Sequence, residues 1–163
     1  MQDILSIHFA PLQGYTEAFY RNAHAACFGG IDSYYTPFVR LEKGNFRRRD
    51  VRGIEPENNG VTHLIPQLIA SSAEKAEVIL SLFIEKGYQE VDINLGCPFP
   101  LLAKRHNGSG ILPYPEEVKA LLSIVTRYPQ ISFSVKMRLG WEQPDECLAL
   151  APILNDLPLR QIT

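Results

Sequence analysis

The sequence is short of cysteine and gives its few thiols no partner pattern. Cys27, Cys97 and Cys147 lie far apart, form no CxxC and are odd in number. This argues against a disulfide framework and fits a reducing, cytoplasmic compartment. A dominant charge is also missing: 16 Lys and Arg stand against 18 Asp and Glu, for a net charge of -2. Without a global polycation, contact with nucleic acid must come from a local patch. No run approaches the roughly 18 apolar residues of a membrane span. The start, Met1-Gln2-Asp3, has no basic segment and no long apolar one, so no signal peptide is expected. His8, His24 and His63 have no ligand spacing, so no metal site is expected. There is no internal repeat, low-complexity tract or second domain.

What is present is a chain of 163 residues, 45% hydrophobic and 21% charged, enough for one domain with a core. The pattern predicts strands over Ile4–Ala10, Tyr34–Phe38, Leu64–Ala70, Glu90–Leu95, Ile131–Arg138 and, at the end, Leu159–Thr163. Helices fall between them. One is capped by Thr16, with Phe19, Ala23 and Ala26 on one face, and stops at Gly29-Gly30. Residues 40–60 are polar and read as a long loop. The clearest helix opens at Ser71, with Glu74 as a capping-box partner. It buries Ala76, Ile79, Leu80, Phe83 and Ile84 and closes at Gly87. Pro115 opens another, with Val118, Leu121, Leu122 and Val125 inward. Pro144 starts the last, which Pro152 should kink or shorten, at about 3 kcal/mol if it stays straight.

Strands alternating with helices define an α/β fold with a parallel sheet. A closed (β/α)8 TIM barrel of this kind runs to about 250 residues. The expectation is an incomplete (β/α)8 TIM barrel, about its first five and a half βα units, ending inside a strand. Such barrels carry their chemistry where strands end. Here those ends present Pro11, Leu12 and Gln13, then Gln67, then Asn94 and Cys97, then Lys136 and Arg138. Gln67, Lys136 and Arg138 interrupt apolar strands, and an unpaired buried donor costs about 1–3 kcal/mol. A polar ligand is one way to satisfy them.

Five segments share an order and spacing that resemble the flavin-dependent tRNA-dihydrouridine synthases. They are Ala-Pro-Leu-Gln-Gly-Tyr-Thr-Glu (10–17), Gln67, Asp-Ile-Asn-Leu-Gly-Cys-Pro (92–98), the stretch from Lys104 through Gly108-Ser109-Gly110-Ile111-Leu112, and Val-Lys-Met-Arg-Leu-Gly-Trp (135–141). The resemblance implies that residues 1–163 are the N-terminal portion of an FMN-binding TIM-barrel catalytic domain. The remaining strands and a helical tRNA-binding domain would be absent. It implies reduction of a tRNA uridine to 5,6-dihydrouridine by FMN, with NADPH as electron donor. Cys97 would be the catalytic proton donor to C5. Pro11, Leu12, Gln13, Gln67 and Lys136 would bind the flavin, and Asn94 and Arg138 the substrate. The implied partners are FMN and tRNA, with no membrane and no metal.

Blander readings stand beside these. A free cysteine is most often a buried thiol, and Cys27 and Cys147, on apolar helix faces, are expected in the core. Lys136 and Arg138 also suit a solvated strand end. The cluster Lys43, Arg47, Arg48, Arg49 and Arg52 suits RNA phosphates or a solvated loop, and His106 an exposed loop. Gly108-Ser109-Gly110 reads as a close-packed turn ordering the segment after Cys97. Two rival functions are a flavin barrel acting on free pyrimidines, of the dihydroorotate or dihydropyrimidine dehydrogenase type, and an inactive half-barrel that self-associates through exposed sheet edges.

Overall fold

A computed structural model describes residues 5–163. Met1, Gln2, Asp3 and Ile4, the expected leaderless start and the first residue of the expected first strand, lie outside the described residues. The chain divides into two compact units between Gln67 and Leu68.

The first unit holds a parallel sheet of β1 (His8–Phe9), β2 (Ser33–Tyr35) and β5 (Leu64–Ile65), in that order. His8 pairs with Ser33, and Tyr34 with Leu64. Helix α1 (Ala18–Cys27) connects β1 to β2. Thr16 does not cap α1, because its hydroxyl turns back to accept the Leu12 N–H at 2.8 Å. Phe19, Ala23 and Ala26 are all exposed. The inward positions are instead Arg21, fully buried, and His24, which packs its ring 4.5 Å from Phe9. Arg21 donates to the carbonyls of Thr16 and Gly53 and to Asn59 Oδ1, so a long polar side chain does the work of an apolar one. Cys27 ends this helix exposed, not in the core.

Residues 40–60 are structured, against the expected loop. Strands β3 (Leu41–Glu42) and β4 (Asn45–Phe46) form a hairpin. Its two-residue turn has Lys43 at φ 51° and Gly44 at φ 81°, the positive pair that matches strand twist. Helix α2 (Arg48–Ile54) and a 3-10 turn (Pro56–Asn58) follow. These elements are too short to carry a legible period. Within the basic cluster, Arg47 faces Glu42 at 3.7 Å and Arg49 faces Glu17 at 3.6 Å. Asp50 is buried, and that burial raises its carboxyl above the ordinary range against the pull of Arg47, Arg40 and Arg49.

The expected strand Leu64–Ala70 is broken at Pro66 into β5 and β6 (Gln67–Leu68), because proline brings no N–H to a ladder.

In the second unit, α3 (Ala73–Glu85) begins one residue later than expected: Ser72, not Ser71, is its N-cap, accepting the Lys75 N–H. Ser71 Oγ instead meets Lys75 Nζ at 2.8 Å. Ala76, Ile79, Leu80 and Phe83 are fully buried, while Ile84 is 39% exposed. Gly87, at φ 84°, ends the helix as a left-handed residue should. Next come β7 (Glu90–Leu95), the short α4 (Pro100–Ala103), a 3-10 turn (Gly108–Ile111), α5 (Pro115–Leu122) and α6 (Ile124–Arg127). They lead to β8 (Ser132–Met137), α7 (Glu146–Asn155) and β9 (Gln161–Ile162). Helix α7 begins two residues after Pro144 and continues past Pro152. Strands β7, β8 and β9 lie side by side, all parallel. Val91, Ile93, Leu95, Phe133 and Val135, alternate residues of β7 and β8, are fully buried. On β7 and β8, Asp92 and Ser134 are register partners, and the buried Ser134 hydroxyl donates to Asp92 Oδ1 at 2.5 Å.

Candidate active site

The pairing of β7 with β8 sets the site in the second unit. Parallel register puts Asn94 beside Lys136 and Leu95 beside Met137. The next residues leave the sheet through Gly96, where a side chain would stand only 3.4 Å from the Met137 backbone.

Asn94 shapes that exit. Its Oδ1 accepts the N–H groups of Gly96 at 3.0 Å and Cys97 at 2.9 Å. An Asn side chain holding its own following backbone is an Asx turn. Two donors meeting one atom also fix that atom as the oxygen. Both of these bonds on Oδ1 go to the turn.

Cys97 therefore sits half-buried in a held loop. Its carbonyl accepts both the N–H and the hydroxyl of Ser109, each at 3.0 Å. Gly108, at φ 61°, lies against it so closely that a Cβ there would come within 2.8 Å of the Cys97 Cβ. The close-packed turn read from Gly108-Ser109-Gly110 is what the structure has. Arg138, exposed just past β8, donates from Nε to the Gly96 carbonyl at 2.8 Å. Lys136 is half-buried, and among the described residues its ammonium has no hydrogen bond or ion pair. An open cavity of about 640 Å³ begins at Arg138 and runs past Leu139, Trp141 and Cys147. The loop there is tied by Glu146, whose carboxylate accepts the N–H groups of Trp141, Glu142 and Gln143. Desolvation alone would raise the Glu146 carboxyl, but these three bonds outweigh it and lower it.

In the first unit, Pro11, Leu12 and Gln13 form the turn after β1. The Leu12 carbonyl accepts from the Tyr15 and Thr16 N–H groups, and Gly14 takes φ 87°. Both polar atoms of the Gln13 amide are shielded from water with no protein partner among the described residues. Gln67 is 1% exposed; its N–H donates to Thr36 Oγ1 at 3.0 Å, and its carbonyl accepts from the Val39 N–H.

The structure thus brings together Asn94, Cys97, Lys136 and Arg138 on two adjacent strand ends, and separately holds Pro11–Gln13 on one turn. Sequence reasoning missed Ser109 as a partner of Cys97, since twelve residues separate them. His106, read as an exposed loop residue, bonds Glu117 Oε2 at 2.7 Å and stacks on Tyr114 at 4.1 Å. Cys147 is half-buried, its thiol donating to the Pro144 carbonyl at 3.2 Å.

Parallel strands alternating with helices define an α/β protein, with a thiol loop where one of its strands ends. A family model described as "Dihydrouridine synthase (Dus)" matches residues 8–163, and the chain belongs to that family. It is 27% identical to the tRNA-dihydrouridine(16) synthase of Haemophilus ducreyi, over 100% of this chain and 52% of that one. It is 27% identical to the probable tRNA-dihydrouridine synthase 1 of Synechocystis, over 94% and 43%. It is 29% identical to tRNA-dihydrouridine synthase B of Klebsiella pneumoniae, over 60% and 30%. The chain spans about half, or less, of the length of these curated relatives.

Proposed function

We propose that this chain carries the proton-donor side of a flavin-dependent tRNA-dihydrouridine synthase. The reaction adds hydrogen across the C5–C6 bond of a tRNA uridine. FMN, recharged by NADPH, would supply the hydride to C6. The chain's own residues do the rest. The Cys97 thiol gives its proton to C5. Asn94 donates to the uracil edge and, through its oxygen, holds the turn that presents Cys97. Arg138 orients the base or a neighbouring phosphate.

The residues present suit a flavin. Among the described residues, the Gln13 amide is sealed from water without a partner and the Lys136 ammonium has none. Carbonyls and ring nitrogens are groups that each of these side chains can hydrogen-bond. By resemblance to the family, Pro11, Leu12, Gln13, Gln67 and Lys136 are the residues that would bind the flavin. The protein's part is binding and orientation; the redox chemistry is the cofactor's.

The observation that carries this reading is the Cys97 loop, held by Asn94 and Ser109 at the end of β7 with Lys136 beside it on β8. Family membership supplies the reaction class. Among the described residues no helix is long and apolar enough to cross a membrane, and the three cysteines are free. The test uses unmodified tRNA, uracil and orotate with NADPH and the purified protein. Dihydrouridine should form in tRNA, with no turnover of the free pyrimidines. Turnover of a free pyrimidine alone would sink the reading.

A further inference from the structure

Cys97 is held at each of its backbone groups, and the two holds come from different places. Its N–H is taken by Asn94, three residues back. Its carbonyl is taken twice by Ser109, twelve residues on. Ser109 is fully buried within the turn Gly108–Ile111, so neither of its donors has water as an alternative. Losing the hydroxyl leaves the carbonyl one bond where it had two. Gly108 closes the remaining side: the Cys97 backbone nitrogen, Cβ and carbonyl oxygen all lie within 3 Å of where a side chain would begin. Residue 108 therefore cannot carry a side chain without displacing Cys97. The peptide units flanking Cys97 are fixed, and χ1 is the freedom left.

We propose that Ser109 is a positioning residue for Cys97: its hydroxyl holds the Cys97 carbonyl and thereby aims the thiol. The link to turnover rests on the reading of Cys97 as proton donor; the link to the thiol does not. One hydrogen bond corresponds to about a fivefold change.

The test measures alkylation of Cys97 by iodoacetamide, read peptide by peptide by mass spectrometry, with exposed Cys27 as internal reference. In Ser109→Ala the Cys97 rate should rise about fivefold relative to Cys27. The isosteric pair Ser109→Thr and Ser109→Val repeats the comparison should the alanine variant fail to fold. Thr, which keeps the hydroxyl, should alkylate about fivefold more slowly than Val. On tRNA, Val should lower kcat with KM unchanged, and Thr should restore it. Equal Cys97 rates in Thr and Val would overturn the proposal. If Cys97→Ala left turnover intact while the Thr–Val difference in alkylation persisted, the proton-donor reading would fall and the role of Ser109 would stand.

Discussion

At the scale of single residues, Asn94 has the most leverage, because one oxygen holds two backbone donors. Asn94→Ala orphans both N–H groups in a half-buried turn. It should cost about 1–3 kcal/mol of stability. Asn94→Asp keeps two acceptor sites and should cost clearly less, while removing the donor proposed to face the uracil. Denaturant unfolding of the two variants checks this, and equal losses would contradict the Asx-turn account. The position of Asn94 was legible in the sequence, at the end of an alternating apolar strand before Gly96-Cys97. Its orientation was not. Whether a strand-end amide faces a ligand or its own chain depends on the path after Gly96, which no periodicity encodes. Arg21 shows the opposite failure. A charged residue reads as surface, yet here it is fully buried because three oxygens converge on it from separate segments.

At the scale of elements, strong periods were readable and short ones were not. Strand β7 matches its expected limits, and the apolar face of α3 is buried except at Ile84, where the helix nears its end. The hairpin β3–β4 and helix α2 stayed hidden, because elements of two to seven residues hold too few repeats to distinguish from a loop. The loop after β8 has its own titratable anchor. Glu146 accepts three backbone N–H groups, and its carboxyl lies below its ordinary value of 4.5. A lowered folded value means its contribution is complete above 4.5 and is lost as pH falls through the lowered value. Trp141, the chain's single tryptophan, sits on that loop and reports it. Its fluorescence should hold steady from pH 7 down to 4.5 and change below. Glu146→Gln should abolish that step. A step above pH 4.5, or one that persists in Glu146→Gln, would contradict the anchoring role.

At the scale of the whole molecule, the α/β alternation was legible because each strand is followed by a helical period, and family membership agrees with it. The division between Gln67 and Leu68 was not, since Pro66 interrupts what reads as one continuous apolar strand. The account's central claim is that Cys97 delivers the proton to C5. The most direct measurement is nucleoside mass spectrometry of tRNA from cells in which Cys97→Ala replaces the chromosomal codon, together with flavin absorbance of the purified variant. The account predicts that dihydrouridine formation slows by about 10²–10⁴-fold, as for loss of a general acid, while flavin content stays that of the unaltered protein. Unchanged dihydrouridine formation in a variant shown to be the sole source of that modification would contradict it.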